Sequence, residues 1–259
     1  NLLLCTKCKV NPHLVEDARQ KLAKNNDSKN LKKLYDQSFA EIKDFNTDKF
    51  WSKNLSNIST LSFQDGMTND RVKNAALFIP KSTKRILDLG VGQGFVEEIL
   101  FKSNRNFELF GIDISSKAID RLKKRFKKGE FKLGTLHEIP YKSNIFDVVL
   151  ALEVLEHIPP HRVFKTYDEI KRVLKPRGVF ILSVPLNEGL HNKSENPSAH
   201  VREYSKELVL KELELAGFIT KKTKLFFAFQ KMYNLKKILQ KIFWFRWESN
   251  DILVKAIKL

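Results

Sequence analysis

Hydrophobic and polar positions follow two rhythms along this chain. From residue 84 onward, apolar runs of strand length alternate with segments whose apolar residues recur every three or four positions, the mark of amphipathic helices. The pattern predicts strands at 84–89, 107–112, 130–133, 145–151 and 178–185, with helices at 94–102, 116–127 and 161–174. A helix at 204–216 and strands at 218–226 and 251–258 follow. Such alternation implies an α/β fold, a mostly parallel sheet with helices on both faces. Upstream the rhythm is helical only. Leu14, Ala18 and Leu22 form one stripe, and Leu31, Leu34, Tyr35, Phe39 and Ile42 form another. Residues 1–70 are therefore expected to be a helical cap on a main domain spanning 71–259.

The first strand runs into the loop Gly90-Val-Gly-Gln-Gly94, with glycine at every second position. Glycine lets the backbone turn sharply and approach a ligand closely, and the next helix points its positive end at whatever fills the loop. A dinucleotide fingerprint needs glycine at 95, where this chain has Phe95. Asp88, just before the loop, is a poor neighbour for a pyrophosphate and suits a ligand carrying positive charge. Asp113 ends the second strand 19 residues past Gly94, near the spacing at which an acid takes ribose hydroxyls. A nucleoside without phosphates and with some positive charge satisfies this unit. S-adenosylmethionine is such a molecule.

Four motifs in order carry a family resemblance: Ile86–Gly94, Gly111–Ser115, Gly134–Pro140 followed by Phe146–Ile158, and Leu174–Pro185. Over roughly residues 70–220 the chain resembles the class I S-adenosylmethionine-dependent methyltransferases, in particular the ubiquinone and menaquinone methylase group. The resemblance implies a Rossmann-like, seven-stranded, mostly parallel sheet whose last two strands form an antiparallel C-terminal hairpin, with an N-terminal helical extension. It implies S-adenosylmethionine as cofactor, contacted by Asp88, Leu89, Gly90, Gly92, Gly94, Asp113, Ile114, Thr135, Leu136 and Glu153. Thr135 stands where the family usually has an acid contacting the adenine amine, which leaves the backbone N–H of Leu136 for that bond. Arg71 is expected to pair with the carboxylate of the cofactor's methionine tail.

The same resemblance implies the remaining site residues. Tyr35 stands where relatives often place a tyrosine near the sulfonium, an attraction a ring face can supply. His200-Val-Arg-Glu-Tyr204 matches a pattern that closes a loop over the acceptor, so residues 186–204 are expected to be an active-site lid. His200 is the candidate base because its ring titrates near working pH, and a loop-closing role is the alternative. Glu153 is expected on the pocket wall, His157 in a structural role and Glu156 facing solvent.

Residues 221–247 form a basic aromatic insertion, with eight Lys or Arg, eight aromatic residues and no acid. Met232, Leu235, Leu239 and Ile242 mark one helical face, with Lys236, Lys237 and Lys241 on the other. That combination suits a membrane surface or a lipid-linked substrate, or an apolar face packed on the domain. The net charge of +17 fits an anionic membrane, an acidic substrate or RNA, but no RNA-binding module is recognisable. No apolar run reaches the length of a membrane span, and no signal-peptide order opens the sequence, so the cytoplasm, with peripheral membrane contact, is the expected location. Cys5-Thr-Lys-Cys8 supplies half a zinc site, His13 could add a third ligand, and no further cysteine exists. No metal is assigned. The expected activity is methyl transfer to a small-molecule, glycan or lipid-linked acceptor. RNA methylation and a catalytically silent cofactor-binding partner subunit are the alternatives.

Overall fold

The computed structural model describes residues 46–56, 66–189, 199–229, 232–242 and 247–259. Tyr35, the cysteine pair and the expected cap helices up to residue 45 lie outside them. Numbered within the described residues, the elements are α1 (Asp48–Ser56), α2 (Gly66–Phe78), β1 (Arg85–Leu89), α3 (Phe95–Lys102), β2 (Glu108–Asp113), α4 (Ser116–Arg125) and β3 (Glu130–Leu133). Then come β4 (Phe146–Leu152), a 3₁₀ turn (Leu155–His157), α5 (Pro160–Val173), β5 (Leu174–Pro185), α6 (Lys206–Leu215), β6 (Phe218–Phe226), α7 (Tyr233–Ile242) and β7 (Asp251–Lys258).

The seven strands lie in the order β3-β2-β1-β4-β5-β7-β6. The first five pair in parallel and β7 runs antiparallel between β5 and β6. The expected C-terminal antiparallel pair is present, but α7 separates its strands in sequence, so it is no tight hairpin. Alternation along the strands feeds two cores. Leu87, Leu89, Val149, Ala151, Phe180 and Leu182 meet α5 and α6 on one face. Ile86, Val148, Leu150 and Ile181 meet α2 and α3 on the other. Both faces being covered, the central strands are apolar at nearly every position. On α5 the buried Val163, Tyr167, Ile170 and Val173 follow the helical repeat. Among the described residues no helix is long and apolar enough to cross a membrane.

Candidate active site

A cavity opens at the carboxyl ends of β1 to β4, where the strand order reverses between β1 and β4, the position at which open α/β sheets hold ligands. The space between its walls, open solvent at the mouth included, is about 790 Å³. Of the residues expected at the cofactor, Gly90, Gly92, Asp113, Ile114, Thr135, Leu136 and Glu153 line it.

The glycine loop is shaped by backbone geometry. Gly90 has φ 73°, and a Cβ there would stand 2.6 Å from Val154 Cγ2. Gly92, which lines the cavity, has φ 50°, and a Cβ there would meet nothing nearer than Gly90 O at 3.9 Å. The Gly92 N–H donates to Asp113 Oδ2 at 2.9 Å, while Ser115 N–H donates to Oδ1 at 2.7 Å. Burial raises the Asp113 pKa, and these two backbone bonds oppose the rise. Each carboxylate oxygen keeps a second lone pair for a ligand.

Asp88 and Leu89 sit differently from expectation. Both are buried and neither lines the cavity, since β1 turns Asp88 toward α3 and Glu97. Burial and then repulsion by Glu97 push the Asp88 carboxyl well above the usual range, and burial raises Glu97 to about 7. Near neutral pH the pair therefore retains a proton, and Asp88 is a hidden brace rather than a charge offered to a ligand. Gly94 serves as the left-handed N-cap of α3 and lies off the cavity wall.

Arg71 is also placed elsewhere. Its Nη1 bonds Asp251 and lies 3.1 Å from Glu153 Oε2, with the side chain buried and off the cavity lining. Burial alone would lower its pKa, but Glu153 and Asp251 reverse the effect and raise it. Arg71 thus holds Glu153 from behind, while Ser183 Oγ donates to Glu153 Oε1 at 2.8 Å. Glu153 itself has φ 57°, a strained backbone for a residue with a side chain.

Glu156 is fully buried, not solvent-facing. The 3₁₀ turn points it inward, and burial followed by repulsion from Glu153 raises its pKa strongly. His157 lines the cavity, edge-on to Trp51 and to His200, with ring centroids 4.8 Å apart in each pair. Burial lowers its pKa to about 3, with His200 adding to the effect, so the imidazole is neutral. His200 stands behind His157 rather than on the wall, its Nδ1 2.7 Å from Glu188 Oε2. The ends of the expected lid are tied down. Val201 and Arg202 N–H both donate to Glu156 O, and Asn187 N–H donates to Tyr204 O. Arg202 and Tyr204 are buried on Glu212. The middle of that segment, 190–198, lies outside the described residues.

Several lining residues carried no sequence signal. Trp51 and Leu55 come from α1, which Asp48 docks by accepting from Ser116 N–H at 2.9 Å. Asn46 Nδ2 donates to His157 O at 2.7 Å, and Trp51 Nε1 donates to Asn46 Oδ1 at 3.0 Å. His137 and Arg162 complete the wall. Only the docking of α1, more than sixty residues upstream of the loops it covers, brings these groups together.

Comparison with known proteins agrees with this geometry. Residues 87–182 match the methyltransferase domain family. An uncharacterized protein of Methanocaldococcus jannaschii is 30% identical over 185 residues, covering 69% of this chain and 75% of that protein. The chain belongs to the S-adenosylmethionine-dependent methyltransferases. A demethylmenaquinone methyltransferase of Thermotoga maritima is 30% identical over 115 residues, 44% of this methyltransferase, which spans about half (49%) of that relative's length. The N-methyltransferase NodS of Bradyrhizobium japonicum, solved with S-adenosylhomocysteine, shares the fold with a TM-score of 0.63 at 14% identity, over 82% of this chain and 98% of its own. The residues present fit the family's cofactor on structural grounds. The space a Gly92 side chain would fill is left open, the Asp113 oxygens are held by backbone N–H groups toward it, and Leu136 closes the wall beside them.

Proposed function

We propose that this methyltransferase transfers a methyl group to a small-molecule, glycan or lipid-linked acceptor. The single observation that supports this reading most is the double lining of the cavity. One set of residues (Gly90, Gly92, Asp113, Leu136) has the make-up of a nucleoside site, and a second (Trp51, His157, Pro159, Arg162) adds an aromatic and basic wall beside it. The cofactor, when bound, supplies an electrophilic methyl on a sulfonium sulfur. Asp113 takes the ribose hydroxyls, Gly92 leaves room for the ligand, and Glu153 places a carboxylate on the wall where a sulfonium reduces the cost of its burial. Tyr35 is carried forward as a sulfonium contact. The acceptor is held in line by the second set, and because the methyl is already activated, orientation supplies most of the rate. His200, held by Glu188 behind His157, positions that wall.

Membrane contact through residues 221–247 belongs to the same proposal. Met232, Leu235, Ile238 and Ile242 are 65%, 46%, 58% and 63% exposed. Helix α7 turns Tyr233 and Lys237 toward Asp70 instead. An exposed apolar stripe with lysines beside it suits the surface of an anionic bilayer, where a lipid-linked acceptor would be found.

The test is release of S-adenosylhomocysteine against a panel of phenols, amines, oligosaccharides, polyprenyl-linked sugars and RNA. Turnover with a member of the first four classes is the expected result. Turnover with RNA alone, falling steeply with salt, would replace the reading. Cofactor binding without turnover on any member would favour the silent partner subunit.

A further inference from the structure

Glu156 is the least explained group in the molecule. Its carboxylate is completely buried, and among the described residues neither oxygen has a hydrogen-bond partner. Leaving a buried acceptor unsatisfied is costly, and more so for a charged group, so a carboxyl group kept in this state calls for something to fill its lone pairs. The neighbours have the chemistry to share such a guest. One ligand atom each from Glu156, His157 and His200 lie within 4.8 Å of one another, with His157 Nε2 3.8 Å from Glu156 Oε1.

The imidazoles are also held as ligands are. His157 Nδ1 lies 3.3 Å from the Ala199 carbonyl and His200 Nδ1 2.7 Å from the Glu188 carboxylate. A metal-bound histidine almost always gives its other ring nitrogen to a carbonyl or carboxylate in this way, which fixes the tautomer and the ring plane. The pairing is built into the fold. Val201 and Arg202 N–H clamp the loop that carries His200 onto the Glu156 carbonyl, at 2.9 and 3.1 Å.

We infer that Glu156, His157 and His200 bind one divalent transition-metal ion. Two imidazoles and one carboxylate with a position left open match zinc or another late first-row ion. Small side-chain rotations would draw the three atoms from 4.8 Å to the roughly 3.3–3.6 Å separation that bonds of about 2.0–2.2 Å imply. Since His157 lines the cavity, the ion would act as a Lewis acid beside the acceptor and favour oxygen nucleophiles. That last clause rests on the methyl-transfer reading, whereas the binding site does not.

Chelator-treated full chain titrated with Zn²⁺ in a calorimeter should take up one ion, and Co²⁺ should give a nitrogen- and oxygen-ligated visible spectrum. Glu156→Gln, which keeps the side chain's size, and His200→Ala should each weaken Zn²⁺ binding by at least the roughly 10- to 100-fold that loss of a mere outer-shell partner causes. S-adenosylhomocysteine affinity should stay within about twofold, with circular dichroism checking that both variants fold. A Cys5→Ser/Cys8→Ser variant should bind Zn²⁺ as the parent does. The inference is overturned if the parent takes up no Zn²⁺. It is equally overturned if binding survives in both Glu156→Gln and His200→Ala, or if Co²⁺ shows thiolate charge transfer and binding is lost with the cysteines. Because no acceptor is present in these titrations, their failure is separate from any failure of methyl transfer.

Discussion

Asp113 Oδ2 accepts the backbone N–H of Gly92 at 2.9 Å, so the acid at the tip of β2 and the glycine loop after β1 form one rigid cradle. Replacing Asp113 with alanine removes both this brace and the bonds to a ribose. Charge-assisted hydrogen bonds contribute roughly 1.5–3 kcal/mol. S-adenosylhomocysteine affinity should fall by about 10- to 150-fold in calorimetry. Unchanged affinity would remove Asp113 from the cofactor site.

Gly92→Ala separates space from conformation. The left-handed backbone costs an alanine about 1 kcal/mol, so the melting temperature should drop by only a few degrees. The added methyl, on a residue that lines the cavity, would meet only Gly90 O, at an unstrained 3.9 Å. Cofactor affinity should therefore fall far more than stability does. A variant that melts lower but binds normally would place the ligand elsewhere.

The Asp88–Glu97 pair makes a pH prediction. Burial raises Glu97 from its ordinary 4.5 to about 7, so the folded state holds a proton that the unfolded state has released. The stability this contributes is complete below about pH 4.5 and is lost as pH rises through about 7. Glu97→Gln should therefore stabilise the protein by on the order of 3 kcal/mol at pH 8, with the gain vanishing below about pH 4.5. Thermal melts of parent and variant across this range measure it, and a pH-independent difference would contradict the pairing.

His200→Ala should lower the rate of methyl transfer while leaving cofactor affinity nearly intact, because the ring stands behind His157 and off the cavity lining. A uniform drop with an unchanged pH–rate profile marks positioning. Loss of the profile's acidic limb along with the rate would instead mark a base.

Helix α7 gives the surface prediction. The protein should bind anionic vesicles at low salt and release them as salt rises, since each lysine near such a surface contributes about 1 kcal/mol and the field decays within a Debye length. Leu235→Ser/Ile238→Ser should abolish the binding with little change in stability, as both side chains are exposed. Failure of the parent to bind vesicles at low salt would end the membrane reading.

What the sequence determined by itself is the framework. The strand–helix rhythm, the three alternating glycines and the acid ending β2 are local patterns, and a parallel sheet turns local order into a site because every strand delivers its end to the same edge. That is why Gly90, Gly92, Asp113, Thr135 and Leu136 were legible as cavity residues. Packing decided the rest. Asp88 and Glu156 read as charges available to a ligand and to solvent, yet both are buried, because strand register and a 3₁₀ turn set which way a side chain points. Arg71 read as a ligand contact and instead braces Glu153 against Asp251, a partner 180 residues away. Trp51, Asn46 and His157 meet only because α1 docks across the strand ends. No spacing along the chain encodes such a meeting, since it depends on long-range burial that exists only once the sheet has formed.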